Sequence, residues 1–480
     1  MNAEKRIDLR GFDLTWRQIE PSPGSFDPEA TGSAQDMDMP SFNAQNADPR
    51  PFWMRLFASG VNWAPEWLAR ECSYTPVGPD DDKQMHVPVW DPCVWSKLRA
   101  AWRELMVGQN LRADPRLRFV YVPGAFTWVE FDYDMIDKGA RKGLTFEAYR
   151  DWHAQMVRDL VEMMGDYAYK LVYTGEDYPF SDVFGDKVSL FARDAVQAGM
   201  GIRTGITELF NFHLNEVPAY GTTIGADGHL VTNDDWVLFD GKRVAATENE
   251  CYTDCGFHSR APAYAVKLSN LKALQMRMNW IYVVPGPSRF SALRSHWEWV
   301  RRELGQRPET APDAWVALRD AEDTYWRERG DKTWRGFPYV RNYERWIVQR
   351  DVRPKGVARR GTLVHREDPA PDNGVAYESL RARRLFFDVD PSFMMAGPFE
   401  LKVTYRDFAR TAWRVEYRGA DGATHTTPAV RGHGKGKLRT VTFRVSDGAF
   451  DNGLPGKTDF ALQALKGKIE ASFVRVVNLR

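Results

Sequence analysis

Two glutamates stand where this chain can do chemistry. Glu130 closes RFVYVPGAFTWVE, the stretch from Arg118 to Glu130, in which an apolar and aromatic run from Phe119 to Pro123 stops at Gly124. Such a run reads as a strand buried on both faces. Phe126, Thr127 and Trp128 follow, so Glu130 emerges at the carboxyl end of a strand beside an indole. Glu248 ends a second strand-like run, in RVAATENECYTDC. Glu250 points the same way two residues on, so side-chain alternation leaves the choice between Glu248 and Glu250 open. Two carboxylates converging on one mouth can divide labour, one holding a proton to give and the other ionised to attack or to take one.

The elements that must position them alternate along the chain. RIDLRGFDLTW and PFWMRLFAS read as strands, and the second carries one charge, Arg55. An arginine inside an apolar strand cannot shed its charge, so it is paired or faces a cleft. From Gly60 to Asp91 runs a long loop with Trp63, Trp67, His86 and Trp90, of a length and composition that suit the wall of a binding cleft. Helical spacing follows over Pro92 to Asn110, Thr145 to Met164, Val183 to Ala198 and Pro262 to Met276. Between these lie YKLVYTGEDYPF, with Glu176 and Tyr178, GIRTGITELFNFH, with His213, and MNWIYVVPG, with Trp280. The alternation predicts a parallel α/β fold, and eight strands would close it into a barrel, whose mouth lies at the strands' carboxyl ends. With the strand at 118–123 counted fourth, Glu130 and Glu248 follow strands four and seven and face one another. Arg55, Trp63, Trp128, Glu176, Tyr178, His213, Glu250 and Trp280 are the candidate substrate contacts.

The character changes after the barrel-like region, expected over 1–305. Residues 306–361 read as a helical, Trp-bearing connector. From 362 to 480, short alternating strands separated by Gly, Pro and Asp turns indicate an antiparallel β-sandwich. No row of exposed aromatics falls on one of its faces, which predicts a mainly structural module. The 65 basic and 65 acidic residues cancel, giving no bulk pull toward nucleic acid or a membrane, and no segment approaches a transmembrane span. The aromatic share of 13% suits a protein that stacks on the flat apolar faces of sugar rings.

Hydrolysis of a glycosidic bond asks for this kind of carboxylate pair: one acid protonates the leaving oxygen while a carboxylate works on the opposite ring face. Here the chain resembles the large clan of retaining glycoside hydrolases with (β/α)8 barrels, and within it the beta-galactosidase-like branch. The resemblance lies in W-x-x-x-E-P-x-x-G-x-F from Trp16 to Phe26, G-x-x-x-W-x-E from Gly124 to Glu130, and Thr247-Glu248-Asn249. The stretch Val403-Thr404-Tyr405-Arg406-Asp407, Trp413, and the segment Asp447 to Phe460 resemble a β-sandwich, carbohydrate-binding-like module often appended to such barrels. The resemblance implies a (β/α)8 TIM barrel followed by the sandwich, with Glu130 as acid/base, Glu248 as nucleophile, and a polysaccharide or oligosaccharide as partner. It implies no cofactor. Val129 stands where many members carry Asn before the acid/base, which motivates an alternative, a non-catalytic carbohydrate-binding protein on the same barrel. No G-x-S-x-G elbow, P-loop, H-E-x-x-H or dinucleotide-binding turn is present.

The four cysteines fall as two local pairs, Cys72 with Cys93 and Cys251 with Cys255. Even, local pairing suits disulfides in an exported protein, secreted or periplasmic; four reduced thiols in a cytoplasmic one is the alternative. The link between Cys251 and Cys255 would fix the loop after Glu248. Neither pair has zinc-site spacing, so no metal is expected. Oligomeric state is not legible.

Overall fold

The computed structural model describes residues 9–175, 181–185, 187, 190–205, 218–226, 229–233, 237–249, 262–283, 293–319, 333–334, 337–338, 341–362, 379–394 and 396–479. Seven short runs pair side by side, in chain order, as parallel strands: β1 (Arg10–Thr15), β2 (Phe52–Phe57), β3 (Leu117–Tyr121), β4 (Leu171–Thr174), β5 (Gly201–Thr204), β6 (Ala245–Asn249) and β7 (Trp280–Val283). Between them return α1 (Pro92–Arg103), α2 (Tyr133–Ala140), α3 (Phe146–Met164), α4 (Phe191–Gln197) and α5 (Pro262–Gln275), and α6 (Arg294–Glu303) follows β7. Local chemistry sets the helix starts. Asp91 accepts from the Cys93 and Val94 amides, with Pro92 in the first turn of α1, and Thr145 accepts from Ala148 to cap α3. The face of α3 that carries Tyr149, Met156, Leu160 and Met163 is buried against the sheet.

The sheet is curled. Trp53 on β2 meets Tyr282 on β7 with ring centroids 5.7 Å apart, and Phe119 on β3 meets Trp280 on β7 at 5.7 Å. Strands four and five places apart in the order can share contacts only across a concave face. Pairing corrects the strand count: β1 lies directly on β2, and β2 on β3. Glu130 therefore follows the third described strand and Glu248 ends the sixth, still three apart. The described sheet has seven strands, where eight were expected for a closed barrel.

A second, antiparallel sheet contains β8 (Asp313–Ala317), β9 (Tyr343–Arg345), β10 (Ile347–Arg350), β11 (Arg384–Val389), β12 (Ala396–Phe408), β13 (Ala412–Gly419), β14 (Lys435–Ala449), β15 (Phe460–Lys466) and β16 (Ile469–Asn478). Their order is β9-β8-β16-β12-β14-β13-β15-β11-β10. Only Trp346, at φ 59, separates β9 from β10, yet these lie at opposite ends of that order. The sheet thus wraps round on itself, with Leu385, Phe387, Val403, Trp413, Phe460 and Leu462 in its core. The region 306–361 differs from the helical connector expected of it. Its strands β8 to β10 are part of this sheet, and β8 pairs with β16 from Asp313↔Val477 to Ala317↔Phe473. Leu268, Leu271 and Leu274 of α5 and Trp297 and Val300 of α6 pack with Trp315 and Tyr343, joining the two sheets.

Cys72 and Cys93 form a disulfide with Cα atoms 5.7 Å apart; Cys251 and Cys255 lie outside the described residues. Among the described residues no helix is long and apolar enough to cross a membrane.

Candidate functional site

Alternation along the curled strands sends one set of side chains to the helices and the other to the concave face. In β2, Met54 and Leu56 go to the core, while Trp53 and Arg55 share the other face. Arg55 lies opposite Asp13 of β1 in register, and its Nε and Nη2 donate to the two Asp13 carboxylate oxygens, each at 2.9 Å. Its guanidinium sits 4.8 Å from the Trp53 ring and 5.8 Å from that of Trp128. Burial works against the Arg55 charge, but the two bonds and the attraction of Asp13 outweigh it and its pKa is raised. This forked pair is a fixed, charged floor for one side of the face.

Arg203, on β5, joins the two glutamates. Its Nη2 lies 2.7 Å from Glu130 Oε1 and is also in contact with Glu248 Oε2. The side chains of Arg203 and Glu248 are 2% and 9% exposed, whereas Glu130 is 25% exposed. Of the two acids, Glu130 is therefore the one in exchange with solvent. Tyr282 lies opposite Glu248 on the neighbouring strand. Tyr121 completes this corner, its ring 5.8 Å from the Arg203 guanidinium. Burial pushes the Tyr121 phenol up to about 12, so it remains protonated across the physiological range.

Glu130 reaches Arg203 from an unusual backbone. Trp128 and Val129 have φ of 56° and 63°, and for a bulky or β-branched residue this costs on the order of 1–3 kcal/mol each. Hydrogen bonds on both sides hold the turn. The Phe126 amide donates to the Glu130 carbonyl at 2.7 Å, the Thr174 hydroxyl donates to the Val129 carbonyl at 2.6 Å, and the Phe131 amide donates to the Thr174 carbonyl at 3.1 Å. One consequence is that the Val129 side chain is buried in the core and Trp128 is left exposed at the rim.

The motif from Trp16 to Phe26 turns out to be a clamp at the end of β1. Trp16 Nε1 donates to Glu20 Oε2 at 2.6 Å, the Gly24 amide donates to Oε1 at 2.7 Å, and Trp67 Nε1 donates to the Glu20 carbonyl at 2.9 Å. Gly24 has φ 68°, a conformation glycine adopts without steric cost, and Phe26 packs edge-on against Phe42.

The other sequence candidates are placed as follows. Trp63 is buried, edge-on to Phe57 and His86, so its faces are already covered by protein. Trp280 is partly buried on the concave face, two residues before Tyr282 and so deeper along β7. Glu176, Tyr178, His213 and Glu250 lie outside the described residues. Sequence reasoning missed Arg203, Asp13, Tyr121 and Tyr282. Arg203 carried the signal that singled out Arg55, a lone arginine in a short buried strand, GIRT. Among the described residues no group of three or more His, Cys, Asp or Glu is arranged to hold a metal ion.

No family model matches the chain, and no curated protein matches it. Among solved structures it is similar to the C-terminal CBM6 of LamC, a marine laminarinase from Zobellia galactanivorans, at 12% identity over 28% of this chain and 99% of that one, with a TM-score of 0.16. It is similar to the carbohydrate-binding module CBM6cm-2 of Cellvibrio mixtus lichenase 5A, in complex with cellotriose, at 12% identity over 28% and 97%, with a TM-score of 0.17. The Eiger TNF of S. frugiperda also appears, at 12% identity over 28% and 85%, with a TM-score of 0.14. At such scores these likenesses carry no argument about what this chain does, and the glycosidase resemblance rests on its motifs and on the site.

Proposed function

We propose that this chain is a retaining glycoside hydrolase, cleaving β-glycosidic bonds of a polysaccharide or oligosaccharide, with Glu130 as acid/base and Glu248 as nucleophile. The observation that carries the reading is the shared Arg203 Nη2. Two oxygens in contact with one nitrogen are separated by no more than roughly the 5 to 5.5 Å that retaining enzymes need, and by less than the roughly 6.5 to 9.5 Å of inverting ones. In this reading the seven parallel strands are the described part of a (β/α)8 barrel, and its mouth holds the site.

The division of labour is the one the resemblance implies: Glu248, buried against Arg203, attacks the anomeric carbon, while Glu130, the more exposed of the two, gives its proton to the leaving oxygen. Glu130 then takes a proton from water, which attacks the glycosyl–Glu248 ester and releases the sugar with retained configuration. Arg203 must let go of Glu130 as the glycosidic oxygen arrives. Trp128, at the rim, offers a face for a sugar ring. The Cys72–Cys93 disulfide fits an exported protein.

Arg203 also favours a second reading, a carbohydrate-binding protein without turnover. A guanidinium against both carboxylates favours both anions and opposes the protonated Glu130 that cleavage requires. One experiment separates the two. The protein is incubated with aryl β-glycosides and a panel of plant, algal and microbial polysaccharides, and new reducing ends and ligand retention are measured. Product formation, abolished in both Glu130→Gln and Glu248→Gln while their melting temperatures stay within a few degrees of wild type, supports the hydrolase. Retention without product on every ligand that binds supports the second reading, and near wild-type turnover in either variant sinks that residue's role.

A further inference from the structure

Beside the turn that carries Glu130 lies a buried polar chain that the proposed reaction does not use. Ser59, just beyond β2, sits 3.0 Å from His86 Nδ1, and His86 Nε2 sits 2.7 Å from Asp80 Oδ2. The same Asp80 oxygen accepts from the Thr127 hydroxyl, and Asp80 Oδ1 accepts from the Gln84 amide at 2.7 Å. Ser59 and His86 are fully buried and Asp80 nearly so. Residue types alone would suggest a nucleophilic triad, yet a serine with no exposed surface meets no substrate.

Protonation follows from the partners. Burial lowers the His86 pKa against the pull of Asp80, leaving the ring neutral. Burial also opposes the charge on Asp80, but the bonds from Thr127, His86 and Gln84 prevail and keep its carboxyl below the usual range. An anionic Asp80 requires a donor, so His86 carries its proton on Nε2, and Nδ1 accepts from the Ser59 hydroxyl. Every member of the chain then has its partner, and the charge on Asp80 is directed at Thr127.

Thr127 immediately precedes the two left-handed residues that deliver Glu130. The loop that carries Asp80 is itself pinned to α2 and the turn after it: Lys138 Nζ donates to the Pro79 carbonyl and Lys142 Nζ to the Pro76 carbonyl, each at 2.6 Å. The Cys72–Cys93 disulfide closes the loop at the start of α1. A strained turn persists only when its surroundings over-determine it, and Asp80 is an anion bonded to this turn from a rigid support.

We propose that Asp80 is a positioning residue for Glu130: bonded to Thr127, it holds the left-handed turn that aims the Glu130 carboxylate at Arg203 and Glu248. This rests on Glu130 acting as the acid/base. The test uses the full chain with Thr127→Val, Thr127→Ser and Asp80→Asn, read by steady-state kinetics on an aryl glycoside that wild type cleaves and by hydrogen exchange of the peptide spanning residues 126–131. Thr127→Val should lower kcat by about 10- to 100-fold, the order of loss for a catalytic group misplaced by about 1 Å, with KM within about twofold. Exchange at 126–131 should quicken about tenfold while β12 to β16 keep wild-type protection. Asp80→Asn should change both readouts in the same direction, and Thr127→Ser should restore both.

Wild-type kcat and exchange in Thr127→Val would overturn the inference. So would uniform loosening of the whole protein that serine does not rescue. If wild type cleaves nothing in the panel, exchange decides alone. Local quickening reversed by serine then keeps the positioning role and removes the hydrolase reading, and its absence removes the positioning role.

Discussion

Arg203 Nη2 is shared by two carboxylates that would otherwise repel each other, Glu248 buried and Glu130 partly exposed. Removing one member of a buried ionic set is costly because the others are left uncompensated, on the order of 3–5 kcal/mol. Arg203→Met keeps the length of the side chain and discards the charge, so it should lower unfolding stability by about that amount in a denaturant titration. Replacing Glu248 by Gln in the same protein then removes one of the repelling charges and should recover about 1–2 kcal/mol, a coupling typical of residues in direct contact. Strict additivity of the two changes would mean that Arg203 does not hold the glutamates together. Both glutamates were legible as strand-end acids. Their contact through Arg203 was not, because three short strands distant in sequence must curl before their side chains meet. Arg55 posed the same question and the fold answers it with Asp13, a partner 42 residues away that no local pattern marks.

At the scale of elements, what the sequence showed well was what local chemistry determines. Periodicity marked α3 almost to its ends, and the runs around 52–57, 118–123 and 280–283 stand as strands. The strands β8 to β10 escaped notice because their partners lie far along the chain, as Asp313 opposite Val477 does; in isolation that Trp-rich polar stretch has no marked period of its own. The motif from Trp16 to Phe26 was legible as a pattern, but its physical meaning needed coordinates. Glu20 uses both carboxylate oxygens to close the exit of β1 on Trp16 and Gly24, and its carbonyl ties that exit to Trp67 in the loop after β2. Glu20→Ala should cost about 1–3 kcal/mol, the penalty for leaving buried donors unmet, and Glu20→Gln, which keeps one acceptor oxygen, should cost less. Urea midpoints at constant slope measure both, and equal losses would show that the clamp does not work through its two oxygens.

At the scale of the molecule, the two sheets meet across a junction that contains a buried acid. Glu303, the last residue of α6, is fully buried beside Asp313 of β8. Arg345 Nη1 lies 3.8 Å from its carboxyl, and Asp313 is engaged by Trp299 and by Arg475 Nε at 2.7 Å. Burial foremost, and the Asp313 carboxylate next to it, push the Glu303 pKa up from 4.5 to about 9 despite the two arginines. The folded protein thus keeps a proton that the unfolded chain releases above about pH 4.5. Wherever the native state binds the extra proton, stability falls as pH rises, by at most about 1.4 kcal/mol per pH unit for a single site. The contribution of Glu303 is therefore complete below about pH 4.5 and is lost progressively as pH climbs toward about 9, the opposite of an acid whose pKa folding depresses. Glu303→Gln replaces the neutral acid by a neutral amide of the same shape and removes the titration. Its melting temperature should match wild type near pH 5, exceed it by several degrees at pH 8, and trace a flatter profile between. Parallel profiles for the two proteins over that range would show that the junction does not hold Glu303 in its protonated form.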